Sequence, residues 1–371
     1  MKDYSKLSTE DLLLLRKQVE FDISKYNNFQ LVRKIQLNSA YGAVGNEFFR
    51  YYSTELAEAV TLTGQLIIQY IAIQLNSFLN DAVGTTNIDY IVYSDTDSVY
   101  LNMESIVDKF CKNRTVTEKI DYVDNACKKI LNPYIEKQFE KLATRMNAYQ
   151  PRISMEREVI ADKGIWVAKK RYMLNVWDSE GIRYSQPKQK IMGVETSRSS
   201  TPEIVRKKLK ESIGIILNKK EEDLIRFVSD FREEFMELNP EDVASPRSVN
   251  GMSKYRDADQ IYKKGTPIAV KGALLYNHHI TKKKLTKKYN KIFEGEKIKF
   301  IYLKKPNPIM GFRGDECVIS FPNKIPKEFA LEPFIDYNTQ FEKTFIDPLK
   351  NIIRTIGWNY EEKNTLESLF I

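Results

Sequence analysis

The chain has 371 residues, 42% of them hydrophobic, with 58 Lys and Arg against 50 Asp and Glu, a formal net charge of +8. That length suggests two or three domains with sizeable cores, and the basic balance suits a polyanionic partner, with charge that is patterned rather than uniform. Cys111, Cys127 and Cys317 lack C-x-x-C spacing. They argue against a disulfide framework or a zinc site and for a reducing cytoplasm. His278 and His279 are the only histidines, which argues against a His-based zinc site or catalytic triad. The N-terminus has no apolar signal region. Residues 61–79 form the most apolar long stretch, but Gln65, Gln69, Gln74 and Asn76 would be costly in a bilayer. The expectation there is a buried helix and no membrane.

In chain order, Ser8, Thr9, Glu10 and Asp11 read as a capping box opening a helix to about residue 27, with Leu12, Leu15, Val19, Ile23 and Tyr26 at helical spacing. A second helical run covers 29–42. On it Lys34, Asn38 and Tyr41 share one face, polar and aromatic rather than purely apolar, for which an ordinary surface stripe with Tyr41 in the core is the plain alternative. Gly42, Gly45 and Asn46 end that run, and Ser53 and Thr54 begin a long helix to about residue 80.

Residues 89–101 read as a hairpin, two β-rich runs around a short polar break. In extended chain the side-chain period of two sends Asp95 and Asp97 to the same side. Paired carboxylates raise one another's proton affinity unless a cation lies between them. A pair of Mg²⁺ ions about 4 Å apart would relieve that repulsion and serve phosphoryl transfer. A solvated Asp-Thr-Asp turn is the plain alternative.

Thr115 and Glu118 form a further capping box, followed by helical spacing to Met146 and a kink at Pro133. From 152 to 177 the pattern is β. It sets Glu156 and Glu158 on one strand face, and on the partner strand Lys170 and Tyr172 oppose Lys169 and Arg171. These charges could be a plain solvated edge. Gly193 to Pro202 marks a boundary whose Ser and Thr hydroxyls suit phosphate contacts or a helix N-cap. Basic helices follow at 202–217 and 220–238. Residues 245–290 read as loop-rich and basic, tracking a nucleic-acid backbone or simply solvated. Short strands follow at 300–303 and 317–321. Leu366, Leu369 and Phe370 make a short apolar helical face at the tail, packed on the domain or anchored in a partner groove.

Tyr93-Ser-Asp-Thr-Asp-Ser98 resembles the Y-x-D-T-D-S motif of family B DNA polymerases. Lys34-Ile-Gln-Leu-Asn38-Ser39-Ala-Tyr41-Gly42 resembles that family's K-x3-N-S-x-Y-G motif, and Lys169-Lys170-Arg171-Tyr172 its K-K-R-Y element. Gly193-Val-Glu195-Thr-Ser-Arg198-Ser-Ser-Thr-Pro202 resembles the start of the family's thumb. The flanking text is most similar to the replicative polymerases of T-even-type bacteriophages, over essentially the whole chain but matching only their C-terminal part.

The resemblance implies an α+β fold. An antiparallel palm sheet backed by helices (47–194) would be preceded by a fingers helical segment (1–46) and followed by a mostly helical thumb (195–371) with a clamp-binding tail. It implies Asp95 and Asp97 as catalytic metal ligands for two Mg²⁺ ions, with Glu158 a peripheral carboxylate. Lys34 would contact the dNTP triphosphate, with Asn38 and Tyr41 beside the nascent base pair. Gly42, Lys169, Lys170, Arg171, Tyr172 and Arg198 would contact primer–template DNA, and Leu366, Leu369 and Phe370 a sliding clamp.

Motif A and the acidic motifs of the 3′–5′ exonuclease are absent from this sequence. The expectation is half of a split polymerase, or an excised piece of one. It would be inactive until joined by an N-terminal polypeptide carrying motif A and the exonuclease, and would work in the cytoplasm of an infected bacterium. Met1 without a tag points to a separate reading frame. The competing reading is a non-catalytic module binding primer–template and the clamp, or a structural subunit of another replication protein.

Overall fold

The computed structural model describes residues 7–311 and 314–362. The chain divides into two compact units, Met1–Arg114 with Lys128–Met155, and Thr115–Cys127 with Glu156–Ile371. It is an α+β protein with small antiparallel sheets.

The first unit opens on α1, Thr9–Val44, a single 36-residue helix where the sequence suggested two. The Asn27–Asn28 pair that reads as a break is carried through, because two residues of modest propensity do not outweigh strong helix formers on both sides. Ser8 caps it, its Oγ accepting from the Asp11 N–H, and Gly45 closes it. No residue of α1 is buried.

Helix α2, Thr54–Val83, starts at Ser53, whose Oγ accepts from Leu56 N–H, and ends on left-handed Gly84 at φ 76°. The expected burial is confined to Ile71, Leu75 and Leu79, one stripe at spacings of four that faces the hairpin and α5. Leu56, Val60, Leu62, Leu66 and Ile73 on its other faces are exposed. It is the one described helix long and apolar enough to cross a membrane, with mean hydropathy 1.4 over its best window and 6% of that window buried.

The hairpin follows as β1, Ile91–Asp95, and β2, Ser98–Leu101. A short helix not anticipated from sequence, α3 (Glu104–Cys111), comes next. Helix α5, Asn132–Arg145, completes this unit. Phe78 of α2 stacks on Tyr134 at 4.3 Å, and the Tyr134 hydroxyl donates to Gln74 O.

The second unit takes α4, Val116–Ala126, which carries the full Thr115–Glu118 capping box. The kink expected at Pro133 is a π-helical segment, Cys127–Leu131, just before it. Widening the helix there relieves the clash between the proline ring and the carbonyl four residues back, and the missing N–H.

Three antiparallel strands follow: β3 (Val159–Ala168), β4 (Arg171–Ser179) and β5 (Ile182–Met192), with β4 central. Arg157 ties α4 to this sheet. It donates to Asp124 at 2.6 Å and pairs with Asp178, which is 1% exposed. Arg183 also pairs with Asp178, at 3.1 Å, so the buried carboxylate is compensated rather than left isolated.

Helices α6 (Glu203–Asn218) and α7 (Glu221–Glu237) lie where the sequence placed them. A second sheet has Lys297–Tyr302 at its centre, between β6 (Ser245–Ser248) and Val318–Phe321.

The stretch 245–290, expected to be loop-rich, contains a 15-residue helix, Ile268–Lys282, with ten buried residues. Two residues hid it. Gly272 sits where a Cβ would lie 2.4 Å from Ser320 Oγ, so glycine lets the helix pack directly on the strand. Lys271 is buried, yet donates to Asp315 at 3.0 Å and lies 4.8 Å from the Tyr262 ring.

His279 on this helix is 9% exposed, and its Nε2 has no hydrogen-bond partner among the described residues. Burial, then the neighbouring His278, pushes its pKa from 6.5 down to about 4. The unfolded chain therefore binds the extra proton between those values. The contribution is whole above pH 6.5 and is lost as pH falls towards 4. Allowing for partial hydration, roughly 2 kcal/mol should disappear across that window. Urea unfolding at pH 7.5 and pH 4.5 checks this. A slope that His279→Asn leaves unchanged would assign the loss to other groups.

Candidate functional site

Asp95 ends β1 and pairs across the hairpin with Ser98, leaving Thr96 and Asp97 as a two-residue turn. The expected same-side projection along a strand is thus replaced by two carboxylates at one hairpin tip. Asp95 is half-buried. Its Oδ1 accepts from Thr96 N–H at 2.8 Å, and its Oδ2 lies 3.4 Å from the Tyr93 hydroxyl. Asp97 is exposed. The tip is stiffened by the Tyr93–Tyr100 cross-strand pair, with ring centroids 5.8 Å apart.

What aims the hairpin is α2. Asn76 accepts from Tyr90 N–H at 2.8 Å and donates to Asp89 at 2.7 Å, and Asn80 donates to Ile88 O at 2.8 Å. A two-stranded hairpin is marginal alone, so these amides matter to where the carboxylates sit. Sequence reasoning weighed Asn76 only as a polar residue awkward in a membrane, and that polarity was the available signal.

Lys34, Asn38 and Tyr41 lie on the uninterrupted α1 at spacings of four and three, so they share one exposed face, with Tyr41 45% exposed. Nothing lies within 4 Å of a Cβ built on Gly42, which leaves the backbone open to a flat partner.

In the second unit the K-K-R-Y element is not one strand. Lys169 and Lys170 are the exposed turn between β3 and β4, with Lys170 left-handed at φ 60°, while Arg171 and Tyr172 begin β4. The expected alternation of faces therefore fails. Tyr172 is buried and faces Trp166 in the register of the two strands. Arg171 donates to Glu195 at 2.8 Å, and Arg198 pairs with the same carboxylate at 3.4 Å. Glu195 thus ties the turn to the segment leading into α6, an organising role the sequence did not assign.

Glu156 and Glu158 precede β3 rather than sharing a face of it, since the strand begins at Val159. Glu158 pairs with Lys190 at 2.7 Å. Among the described residues no group of three or more His, Cys, Asp or Glu is gathered to hold a metal. Cys111, Cys127 and Cys317 form no disulfide among the described residues. Leu366, Leu369 and Phe370 lie outside the described residues.

A family model described as DNA polymerase family B matches residues 13–142, a span that contains both α1 and the hairpin. The chain is 36% identical over 358 residues to the DNA-directed DNA polymerase of Enterobacteria phage T4, covering 93% of this chain and 39% of that protein. It is 38% identical over 356 residues to the DNA-directed DNA polymerase of Escherichia phage RB69, covering 92% and 38%. A 102-residue stretch is 30% identical to the DNA polymerase delta catalytic subunit of Drosophila melanogaster. The chain therefore spans about two fifths of the length of the phage relatives it matches. The polymerase match reaches the two site elements of the first unit, while the K-K-R-Y turn lies beyond it.

Proposed function

We propose that this chain supplies the nucleotide-binding helix, the catalytic hairpin and the primer-holding segments of a DNA-directed DNA polymerase that acts for a virus in its infected host cell. The observation that carries this is the pair Asp95 and Asp97 at a hairpin tip inside a family B match. In this reading residues 1–46 are fingers, 47–194 palm and 195–371 thumb.

The donor set fits a hard divalent cation, since two aspartates offer only oxygen ligands. Asp95 and Asp97 would hold Mg²⁺, which when bound polarises phosphoryl oxygens and stabilises the charge of nucleotidyl transfer. Two side chains are an incomplete shell, so a carboxylate from a segment carrying motif A, on a separate polypeptide or a longer chain, is needed to complete it. Glu158 would be peripheral at most, given its pairing with Lys190.

Each remaining residue has a role its chemistry supports. Lys34 places an ammonium against a triphosphate. Asn38, Tyr41 and Gly42 offer a polar and flat surface beside a base pair. Lys169 and Lys170, exposed on their turn, suit backbone phosphates, which fix position without reading sequence. Arg171 and Arg198 share Glu195, so they hold the segment in place as well as offering charge.

The test is primer extension with Mg²⁺ and dNTPs, by the chain alone and then with the polypeptide that carries motif A. Synthesis only in the mixture is expected. Full templated synthesis by the chain alone would overturn the need for completion. No synthesis in either case, with primer–template binding retained, would move the assignment to a non-catalytic binding module.

A further inference from the structure

The second unit contains a cleft of about 360 Å³, formed where the segment before α6 meets β6, the central strand Lys297–Tyr302 and the helical stretch 343–351. That volume lies in the range of small-ligand sites. Its charged lining is mixed: Arg198, Arg247 and Lys343 bring three cations, and Glu195 and Asp347 two carboxylates. Glu195 is also held by Arg171, and Lys343 reaches Asp347 at 3.0 Å. Arg247 is exposed on β6 and has no ion-pair partner among the described residues.

Tyr302 and Phe300 bring aromatic surface, and Ser200, Thr201 and Asn351 bring neutral hydrogen-bonding groups. The Ser200 and Thr201 side chains are not spent on capping α6. Its N-cap is Pro202, and no side-chain cap bond is made.

We propose that this cleft binds a nucleoside monophosphate, with Arg247 and Lys343 taking the phosphate and Tyr302 offering ring surface to the base. The two carboxylates argue for a small ligand over a nucleic-acid backbone. Carboxylates repel a polyanion running through the cleft, but accept hydrogen bonds from sugar hydroxyls and base amino groups around a single phosphate. Charged hydrogen bonds from an arginine to phosphate are the strong kind. Aromatic stacking on a base is tolerant of base identity, so selectivity among the four bases should be weak. The inference stands on the second unit alone and does not require that the chain complete a polymerase.

The probes are deoxyadenosine monophosphate and inorganic phosphate, titrated calorimetrically against the whole chain in EDTA, so that no metal-dependent nucleotide site contributes. One-to-one binding of the nucleotide is expected. Arg247→Ala should weaken both probes by about tenfold or more, while Tyr302→Leu should weaken the nucleotide and leave phosphate nearly unchanged. Arg247 is exposed, so its loss should not unfold the chain, and an unchanged melting temperature checks this.

Absence of nucleotide binding up to about 10 mM, weaker than any useful affinity, would overturn the proposal. So would equal affinity for phosphate and nucleotide, or binding indifferent to Arg247→Ala. A loss of primer–template affinity in Arg247→Ala, without nucleotide binding by the native chain, would make the cleft part of a DNA track and also overturn it. Primer extension by the completed enzyme is read separately, so the polymerase assignment can fail or stand on its own result.

Discussion

Asp97→Asn should reduce templated primer extension by the completed enzyme by about 10³-fold or more, the scale of losing a preorganised charge stabiliser. The substitution keeps the shape and removes the charge. Asp97 is exposed in the turn and makes no hydrogen bond or ion pair among the described residues, so the hairpin does not depend on it. Melting temperature and primer–template affinity should therefore stay close to those of the native chain while kcat falls. A rate within about tenfold of native, with metal present, would remove Asp97 from the catalytic set.

Asp95→Asn is the instructive partner. Its Oδ2 accepts from the Tyr93 hydroxyl, a bond that an amide nitrogen in that position cannot accept, so Asn disturbs the tip as well as the charge. A matching kinetic loss accompanied by a lower melting temperature is expected at Asp95 and not at Asp97. The contrast separates a residue kept for chemistry alone from one that also builds the tip.

The parts legible in the sequence are those where one local signal decides the outcome. The Thr115–Glu118 capping box is formed with both of its reciprocal bonds. The hairpin runs where the β-rich residues put it, and the short strands at 300–303 and 317–321 pair with each other. The α+β class follows from such signals.

The illegible parts share a cause, namely packing partners remote in sequence. The helix Ile268–Lys282 contains a glycine and a lysine that weaken a local prediction, yet Ser320 and Asp315 give both a place. The Lys169–Lys170 turn reads as strand because lysine suits an edge, but its left-handed residue is accommodated by Gly193, more than twenty positions on. Helix α2 reads as buried because it is apolar on several sides, while only the stripe Ile71, Leu75 and Leu79 is fully buried. The motif residues stand out in the sequence by their order along the chain. Asn76 and Asn80, which aim the hairpin, belong to no motif.

Gly193→Ala should be the most damaging single methyl group in the second unit. Gly193 has φ +66°, and a Cβ built there falls 2.0 Å from the Lys170 carbonyl oxygen and 3.1 Å from Arg171 Cγ. Two penalties add. An L-residue in the left-handed region is worth about 1–2 kcal/mol, and forced overpacking about 1–3 kcal/mol more. Roughly 3 kcal/mol of lost stability is expected, visible as a lower denaturant midpoint at unchanged slope. The obstructed atom is backbone, so relief requires moving the turn that carries Lys169 and Lys170, and with it the Arg171–Glu195 pair. Primer–template affinity should therefore drop with stability, and its salt dependence should flatten as phosphate contacts are lost. Gly181→Ala is the control. Gly181 has φ +83° with nothing within 4 Å of its Cβ, so it carries the backbone penalty without the overlap. Equal losses for the two variants would mean that the turn yields freely. A clearly larger loss at Gly193, joined by weaker DNA binding, would identify the close approach of two backbone segments as what holds the basic turn in place.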